Sequence, residues 1–173
     1  MNNREVSSKG LSVVMTISAV DLTEHVIKPT LEYLGMHSPA AERLLLGTAA
    51  QESNFDPFYQ QCEDNNQGIG IYQITSTQHR IIWDQYLAFH PDLASKVRGL
   101  ASQHQFLNDP DQELKINLAY STAIAWVIYL RSEHQLPSAD DIDGLGHFWE
   151  QNFCHQNPCH AKDFSRWINR YAA

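Results

Sequence analysis

Residues 44–74 read LLLGTAAQESNFDPFYQQCEDNNQGIGIYQI, and the rest of the chain is arranged around this stretch. It begins as a helix that is apolar almost all round, which is typical of a protein interior. Gly47 within that helix leaves room for close approach by another helix or a ligand. A single carboxylate, Glu52, lies where the helix ends, and a polar loop then leads to a Gly-x-Gly turn at 68–70 that presents Gln73. The pattern predicts a half-sheltered carboxylate at the end of a buried helix.

The composition indicates one folded domain. The chain has 173 residues, of which 43% are hydrophobic and 10% aromatic, enough for a core of its own. Its longest apolar runs, such as 123–130, are much shorter than the roughly 20 residues that span a bilayer, so we expect no integral membrane segment. The formal net charge of -8 argues against nucleic acid as a partner, because binding to phosphates requires clustered Lys and Arg. We expect a monomer that needs no cofactor.

The N-terminal residues 1–14 are predicted to be a disordered extension of a single domain that covers 15–173. Residues 11–19 form a short apolar run that superficially suggests a signal peptide. The basic residues before this run are diluted by Glu5, however, and the small-residue cleavage site is poorly defined. We therefore interpret the segment as an extension without a convincing export signal, and Met15 is a candidate for the original start.

Three cysteines do not suggest a disulfide framework, because any pairing among Cys62, Cys154 and Cys159 leaves one of them single. The segment CHQNPCH at 154–160 contains metal-binding residue types. Its spacing is too tight for a regular zinc site with two Cys and two His ligands, so we expect no metal. A local disulfide between Cys154 and Cys159 and two plain thiols are the remaining interpretations.

Apolar residues recur at helical spacing along most of the chain, and only residues 68–74 allow a short strand pair. The sequence therefore predicts an all-α, or mainly α, domain with one small β-hairpin. Gly35 ends the first helix, and Ser38 and Pro39 begin the second. The predicted helices cover 19–34, 39–52, 76–89, 91–106, 112–133, a segment opened by Ser138 and Asp140, and 162–171.

Two motifs stand close together in the central stretch, namely AAQESNFDP at 49–57 and QGIGIYQIT at 67–75. They resemble the signature of the soluble lytic transglycosylases and goose-type lysozymes, in which a Glu-Ser pair at a helix end precedes a Gly-x-Gly turn followed by Gln. The segment DPDQELKINLAYSTAIAWVIYL at 109–130 resembles a later helix of this family. FWEQNF at 148–153 and FSRWINRY at 164–171 are most similar to small phage-encoded members. The resemblance implies a lysozyme-like fold.

Cleavage of a glycosidic bond requires a proton donor for the leaving oxygen, and a glutamic acid stays protonated near neutral pH only where burial raises its pKa. Glu52, at the end of an apolar helix, is placed for this role. A conventional glycosidase adds a second carboxylate about 5–10 Å away, for which Asp56, Glu63 and Asp64 are candidates. The resemblance instead implies that Glu52 acts alone. It protonates the leaving group and then takes a proton from the C6 hydroxyl of the substrate, which attacks C1 to form a 1,6-anhydromuramic end.

The resemblance also implies substrate-binding residues. Gln73 is expected to line the cleft and bind sugar or N-acetyl groups, Ser53 to orient the helix end or the glutamate, and Tyr72 to stack on a sugar ring. Many members carry Ala-Tyr-Asn-Ala-Gly where this chain has GHFWE at 146–150, so the aromatic contact to sugar falls to Phe148 or Trp149.

Two further candidates, Asn117 and Tyr120, complete the predicted substrate-binding set. Considered as residue types alone, Asn117 and Tyr120 are explained at least as well by structural roles, and the cluster at 149–153 favours core packing over the cleft. Asn117 is typical of a buried hydrogen bond, and Tyr72, Tyr120 and the cluster at 149–153 are typical of core packing.

We therefore expect a peptidoglycan-degrading enzyme that cleaves the β-1,4 bond between MurNAc and GlcNAc as a lytic transglycosylase, with peptidoglycan glycan strands as its partner. One alternative is a hydrolytic lysozyme (muramidase) that uses a second carboxylate. Another is a catalytically silent glycan-binding or virion structural module. Such an enzyme acts in the periplasm or cell wall, which fits a phage-encoded protein, either virion-associated or an endolysin, or an exported bacterial enzyme.

Overall fold

The structure, a computed structural model, describes residues 16–59, 67–153 and 160–171. It confirms the predicted mainly α-helical class with one small hairpin. The elements are α1 (Ala19–Leu22), a π-helical turn (Thr23–Ile27), α2 (Lys28–Leu34), α3 (Pro39–Ser53), β1 (Gly68–Ile69), β2 (Ile74–Thr75), α4 (Ser76–Gln85), a 3₁₀ turn (Leu87–Phe89), α5 (Pro91–Leu100), α6 (Gln103–Asn108), α7 (Pro110–Ile116), α8 (Leu118–Leu130), α9 (Ile142–Asn152) and α10 (Ala161–Tyr171). The predicted extension at 1–14 and the three cysteines lie outside the described residues.

Two interior helices organise the core. All ten residues of α8 from Tyr120 to Tyr129 are buried, and α2, α3, α4, α5 and α7 pack against this helix. In α3 every residue from Leu44 to Ala50 is buried, as the apolar run in the sequence predicts. Because α9 and α10 pack against each other and also against α3, the C-terminal end of α3 emerges beside the last two helices.

The first predicted helix is interrupted by the π-helical turn. Pro29 lies in the first turn of α2, where its missing N–H is tolerated, and the wider turn before it changes the hydrogen-bond register. Gly35 ends α2 with a left-handed φ of 77°, and the Ser38 side chain caps α3. These start and stop signals are confirmed.

Two of the predicted helices are wrong because each is divided. The segment 91–106 breaks at Ala101, which is extended, and Ser102 then caps α6. The segment 112–133 breaks at Asn117, whose side chain accepts a hydrogen bond from the Tyr120 N–H and so begins α8. Apolar spacing continues across both breaks, and this continuity conceals the caps.

The hairpin pairs β1 with β2 in an antiparallel register, Gly68 opposite Thr75 and Ile69 opposite Ile74. Gly70 has a φ of 70°, and a Cβ there would lie 2.0 Å from the carbonyl oxygen of Leu114. Only glycine therefore allows the hairpin to lie against the backbone of α7.

Candidate active site

Glu52 lies in the last turn of α3, where the backbone leaves the helix abruptly. Asn54 and Phe55 both adopt left-handed conformations, with φ of 52° and 63°, which non-glycine residues rarely adopt. The carboxylate is partly buried and accepts a hydrogen bond from Nε1 of Trp149, 3.1 Å from its Oε1. The helix end thus carries its carboxylate into a sheltered position against α9.

Burial raises the pKa of Glu52 from 4.5 to about 7, and the Trp149 hydrogen bond opposes this rise. Removal from water disfavours the charged form, whereas a donor on the carboxylate favours it. Here the loss of hydration is the larger effect. Near neutral pH Glu52 is therefore present both as an acid that can donate a proton and as a base that can accept one.

Two buried pairs of hydroxyl groups lie in the core, and Tyr129 in one of them interacts with Glu52. The Tyr129 hydroxyl is 2.6 Å from Oγ1 of Thr48, and the Tyr72 hydroxyl is 3.1 Å from Oγ1 of Thr122. Burial raises the pKa of both tyrosines well above their usual value, and the charge of Glu52 adds to the rise at Tyr129. Both phenols therefore stay neutral and add no charge to this part of the core.

Ser53 connects the end of α3 to the hairpin. Its Oγ lies 2.7 Å from the carbonyl oxygen of Ile71 and 3.1 Å from that of Ala49. The side chain is buried. Its contacts hold the helix end in place beside the turn at 70–73, which is compatible with the orienting role that the family resemblance implies for Ser53.

Gln73 closes the turn of the hairpin. Its Nε2 donates to the carbonyl oxygens of Gly70 at 2.8 Å and Tyr59 at 3.2 Å, and its backbone has a left-handed φ of 49°. The side chain is only 6% exposed, and its Oε1 has no hydrogen-bond partner among the described residues. The amide therefore uses its Nε2 to hold the backbone at two places, Gly70 and Tyr59.

Four other predicted substrate-binding residues have packing or capping contacts within the fold. Tyr72 and Tyr120 are fully buried, so their rings are not available to stack on a sugar in this structure. Phe148 is buried too and stacks on Tyr129 with ring centroids 5.7 Å apart. Asn117 caps α8 and donates to the carbonyl oxygen of Leu100 and to Oε2 of Glu113.

The structure therefore brings Glu52, Ser53 and Trp149 together and joins them to the hairpin that carries Gln73. Of the three candidates for a second carboxylate, Asp56 accepts a hydrogen bond from the Phe58 N–H at 2.9 Å, within the turn that follows α3. Glu63 and Asp64 lie outside the described residues.

A second polar cluster, not predicted from the sequence, joins α4, α7 and α8. The His79 ring lies 2.8 Å from Oδ1 of Asp111 through Nδ1 and 2.6 Å from the Tyr120 hydroxyl through Nε2. Trp83 also donates to that hydroxyl, at 2.9 Å. Burial lowers the pKa of His79 although Asp111 opposes the change, so the ring is favoured in its neutral form. Tyr120 and Asp111 are thus parts of a satisfied internal network beside a cavity of about 570 Å³.

Another cavity, of about 200 Å³, lies between the hairpin and α7. The exposed side chains of Phe58 and Tyr59 form part of its wall, and Asp109 and Lys115 contribute charged groups. Because Gln73 donates to the Tyr59 and Gly70 carbonyl oxygens, the same amide holds two parts of this wall in place.

Comparisons with models of known protein families, with curated proteins and with solved structures found no match. The similarity of the Glu-Ser and Gly-x-Gly motifs to lytic transglycosylases therefore stays a prediction from those residues. Within the described ranges, no group of three His, Cys, Asp or Glu side chains is placed to hold a metal ion. No helix in the same ranges is long and apolar enough to cross a membrane.

Proposed function

We propose that this chain is a peptidoglycan-degrading enzyme with a lysozyme-like fold, a lytic transglycosylase that cleaves the MurNAc–GlcNAc β-1,4 bond with Glu52 as its acid and base. The observation that carries the proposal is the state of Glu52, a partly buried carboxyl whose pKa is raised to about 7 and which accepts a hydrogen bond from Trp149. A group that both gives and takes a proton near neutral pH works best when its pKa lies in that range.

In the proposed reaction the Glu52 carboxyl gives its proton to the glycosidic oxygen as the bond to C1 breaks. The C6 hydroxyl of the same MurNAc residue then attacks C1, and the Glu52 carboxylate accepts the hydroxyl proton. The new C1–O6 bond closes a 1,6-anhydro ring, no water is consumed, and Glu52 returns to its protonated form. The Trp149 N–H stabilises the carboxylate between these two proton transfers.

Asp56 is the one candidate for a second carboxylate within the described residues, and its hydrogen bond is local to the turn after α3. Oδ1 of Asp56 accepts the Phe58 N–H, which fixes the side chain within the local turn. The substrate's own hydroxyl supplies the nucleophile in the proposed route, so no second carboxylate is needed. We place this activity in the periplasm or cell wall, carried there by a phage or by export.

The experiment is to incubate the protein with purified sacculi and to analyse the released muropeptides by mass spectrometry. We expect fragments that are lighter by one water than the products of hydrolysis. Glu52→Gln should reduce their release by about 10³-fold, the scale of general acid catalysis. A matched control is Glu32→Gln, which alters an exposed glutamate on α2 and should release fragments at the wild-type rate.

Products that carry reducing ends would show that the protein is a hydrolytic lysozyme and not a transglycosylase. Equal release by wild type and Glu52→Gln, or no release by either, would reject the proposed enzyme altogether.

A further inference from the structure

The carboxylate of Glu52 is held by an indole that α9 and α10 position beside the end of α3. Trp149 donates from α9 to Oε1 of Glu52 at 3.1 Å. Its indole is only 2% exposed and stacks on the ring of Phe164 in α10, with centroids 5.4 Å apart and planes inclined by 19°. Phe164 therefore fixes the direction in which the indole presents its N–H.

Phe164 is itself seated on α3, the helix that carries Glu52. A Cβ at Gly47 would lie 2.5 Å from Cζ of Phe164, so the absence of a side chain at Gly47 is what lets the ring reach the helix. The sequence prediction of a close approach at Gly47 is confirmed in this form. Gly146 likewise allows α9 and α10 to approach each other closely, because a Cβ there would lie 2.7 Å from the carbonyl oxygen of Ala161.

These contacts connect Gly47 of α3 to Phe164, Phe164 to Trp149, and Trp149 back to α3 at Glu52. We propose that Trp149 and Phe164 are positioning residues that fix Oε1 of Glu52 as a hydrogen-bond acceptor and so leave Oε2 to carry the transferred proton. The inference rests on the proposed function, in which Glu52 is the acid and base. It also reassigns Trp149, which the sequence predicts to touch sugar.

The chemistry of the carboxyl group explains the selection of Oε2. An indole nitrogen is only a donor, so the oxygen facing it has to accept. In the protonated acid that oxygen is the carbonyl oxygen, and the O–H is on Oε2. Among the described residues, the phenol of Tyr129 interacts with the charge of Glu52, and burial keeps that phenol neutral.

The experiment compares Trp149→Phe with Trp83→Phe. Both remove one indole N–H, but the Trp83 donor bonds Tyr120 instead of Glu52. The titration of Glu52 is followed by NMR of protein labelled with ¹³C in the glutamate carboxyl group, with the resonance assigned through Glu52→Gln. We expect the midpoint to rise by about one pH unit in Trp149→Phe, because a donor that favours the carboxylate is lost, and to stay at the wild-type value in Trp83→Phe.

The same variants are then tested on sacculi. Activity requires protonated Glu52 at the start, so it falls as the pH rises through the pKa, and this fall should move to higher pH in Trp149→Phe. We also expect kcat to drop about tenfold while KM changes by less than about twofold, since positioning is lost and binding is not. A residue that contacts sugar would raise KM instead.

Phe164→Leu keeps the indole N–H but removes the ring beneath it, and Gly47→Ala forces that ring to move. Both should shift the Glu52 titration and kcat in the same direction as Trp149→Phe, in protein whose thermal melting confirms that it is folded. An unshifted titration in Trp149→Phe would overturn the inference. If Trp149→Phe shifts the titration but Phe164→Leu and Gly47→Ala do not, Phe164 has no positioning role. Because the titration needs no substrate, a shifted midpoint in protein that releases no fragments would leave the inference standing while the proposed function fails.

Discussion

At the scale of single residues, the protonation of Glu52 is decided by two opposing contributions. Burial removes hydration from the carboxylate, and one hydrogen bond from Trp149 restores part of the lost stabilisation. A carboxylate that accepts two or three donors has its pKa lowered, whereas one donor in a sheltered position does not prevent a rise. The resulting pKa of about 7 suits proton transfer near neutral pH. The folded chain is less stable, however, when the buried carboxyl ionises.

That cost predicts a stabilising effect of Glu52→Gln at high pH. The pKa is about 7 in the folded chain and 4.5 ordinarily, so the contribution of the protonated form is fully present below about pH 4.5 and is lost as the pH rises through 7. At about 1.4 kcal/mol per pH unit, the difference corresponds to about 3 kcal/mol. Denaturation in urea should therefore show Glu52→Gln to be more stable than wild type by up to about 3 kcal/mol at pH 8.

At pH 4 the two proteins should differ much less, because the wild-type carboxyl is then protonated in the folded and the unfolded chain. Glu32→Gln, at an exposed position, serves as the control and should show no such dependence on pH. A stability difference of the same size at pH 4 and pH 8 would mean that Glu52 is not held protonated by burial.

Residue types and spacing predict Glu52 and its partner Ser53, since both belong to one local motif. They cannot predict the donor, because Trp149 follows Glu52 by 97 positions and reaches it only after α9 has packed on α3. The same limit applies to Gln73. Its place in the turn follows from the Gly-x-Gly pattern, but its bond to the Tyr59 carbonyl oxygen depends on how the loop folds back.

At the scale of elements, the junction between α7 and α8 is formed by Asn117. Its side chain accepts the Tyr120 N–H and donates to the Leu100 carbonyl oxygen and to Oε2 of Glu113. Glu113 is itself buried and accepts both the N–H and the hydroxyl of Ser102 through Oε1. One amide and one carboxylate thus hold the ends of α5, α6, α7 and α8 together.

Asn117→Ala should lower the free energy of unfolding by about 2 kcal/mol. About 1 kcal/mol comes from the lost helix cap and the rest from acceptors left without a partner. Because Asn117 has these structural contacts and belongs to a different network from Glu52, kcat/KM on sacculi should stay within about twofold of wild type when corrected for the folded fraction.

Asn108→Ala is the matched control, since its amide donates to an exposed backbone oxygen of His104 and should cost little. A stable Asn117→Ala protein with a strongly raised KM would instead support the role in substrate binding that the family resemblance implies.

The helices that the sequence predicts well are those with strong signals at their ends. Ser38-Pro39 and Gly35 are such signals, and the Thr75 capping box that begins α4 is another. The breaks at Ala101 and Asn117 are missed although their caps are local, Ser102 to the Gln105 N–H and Asn117 to the Tyr120 N–H, because the apolar spacing runs on across both caps.

At the scale of the whole molecule, the candidate site draws on three separate parts of the chain. Glu52 comes from α3, its donor from α9, and the clamp at Gln73 from the hairpin, while α8 fills the centre and supplies the buried phenol of Tyr129. The mainly α class follows from helical periodicity alone. The meeting of these parts follows from long-range packing, of which the sequence gives one sign, the small residue Gly47.

The net charge of the chain sets its interaction with a polymer as a whole. The formal charge is -8 at pH 7, so under the proposed function the protein is repelled over long range by sacculi, which carry the carboxylates of their stem peptides. Salt shortens the Debye length from about 30 Å at 0.01 M to about 10 Å at 0.1 M and so weakens this repulsion.

The fraction of Glu52→Gln protein that sediments with sacculi should therefore rise, by about twofold, between these two ionic strengths. Binding to uncharged chitin should not change over the same range. Binding to sacculi that falls as salt is added would instead indicate a local basic surface that recognises the acidic groups of the wall, and net charge would then not govern the encounter.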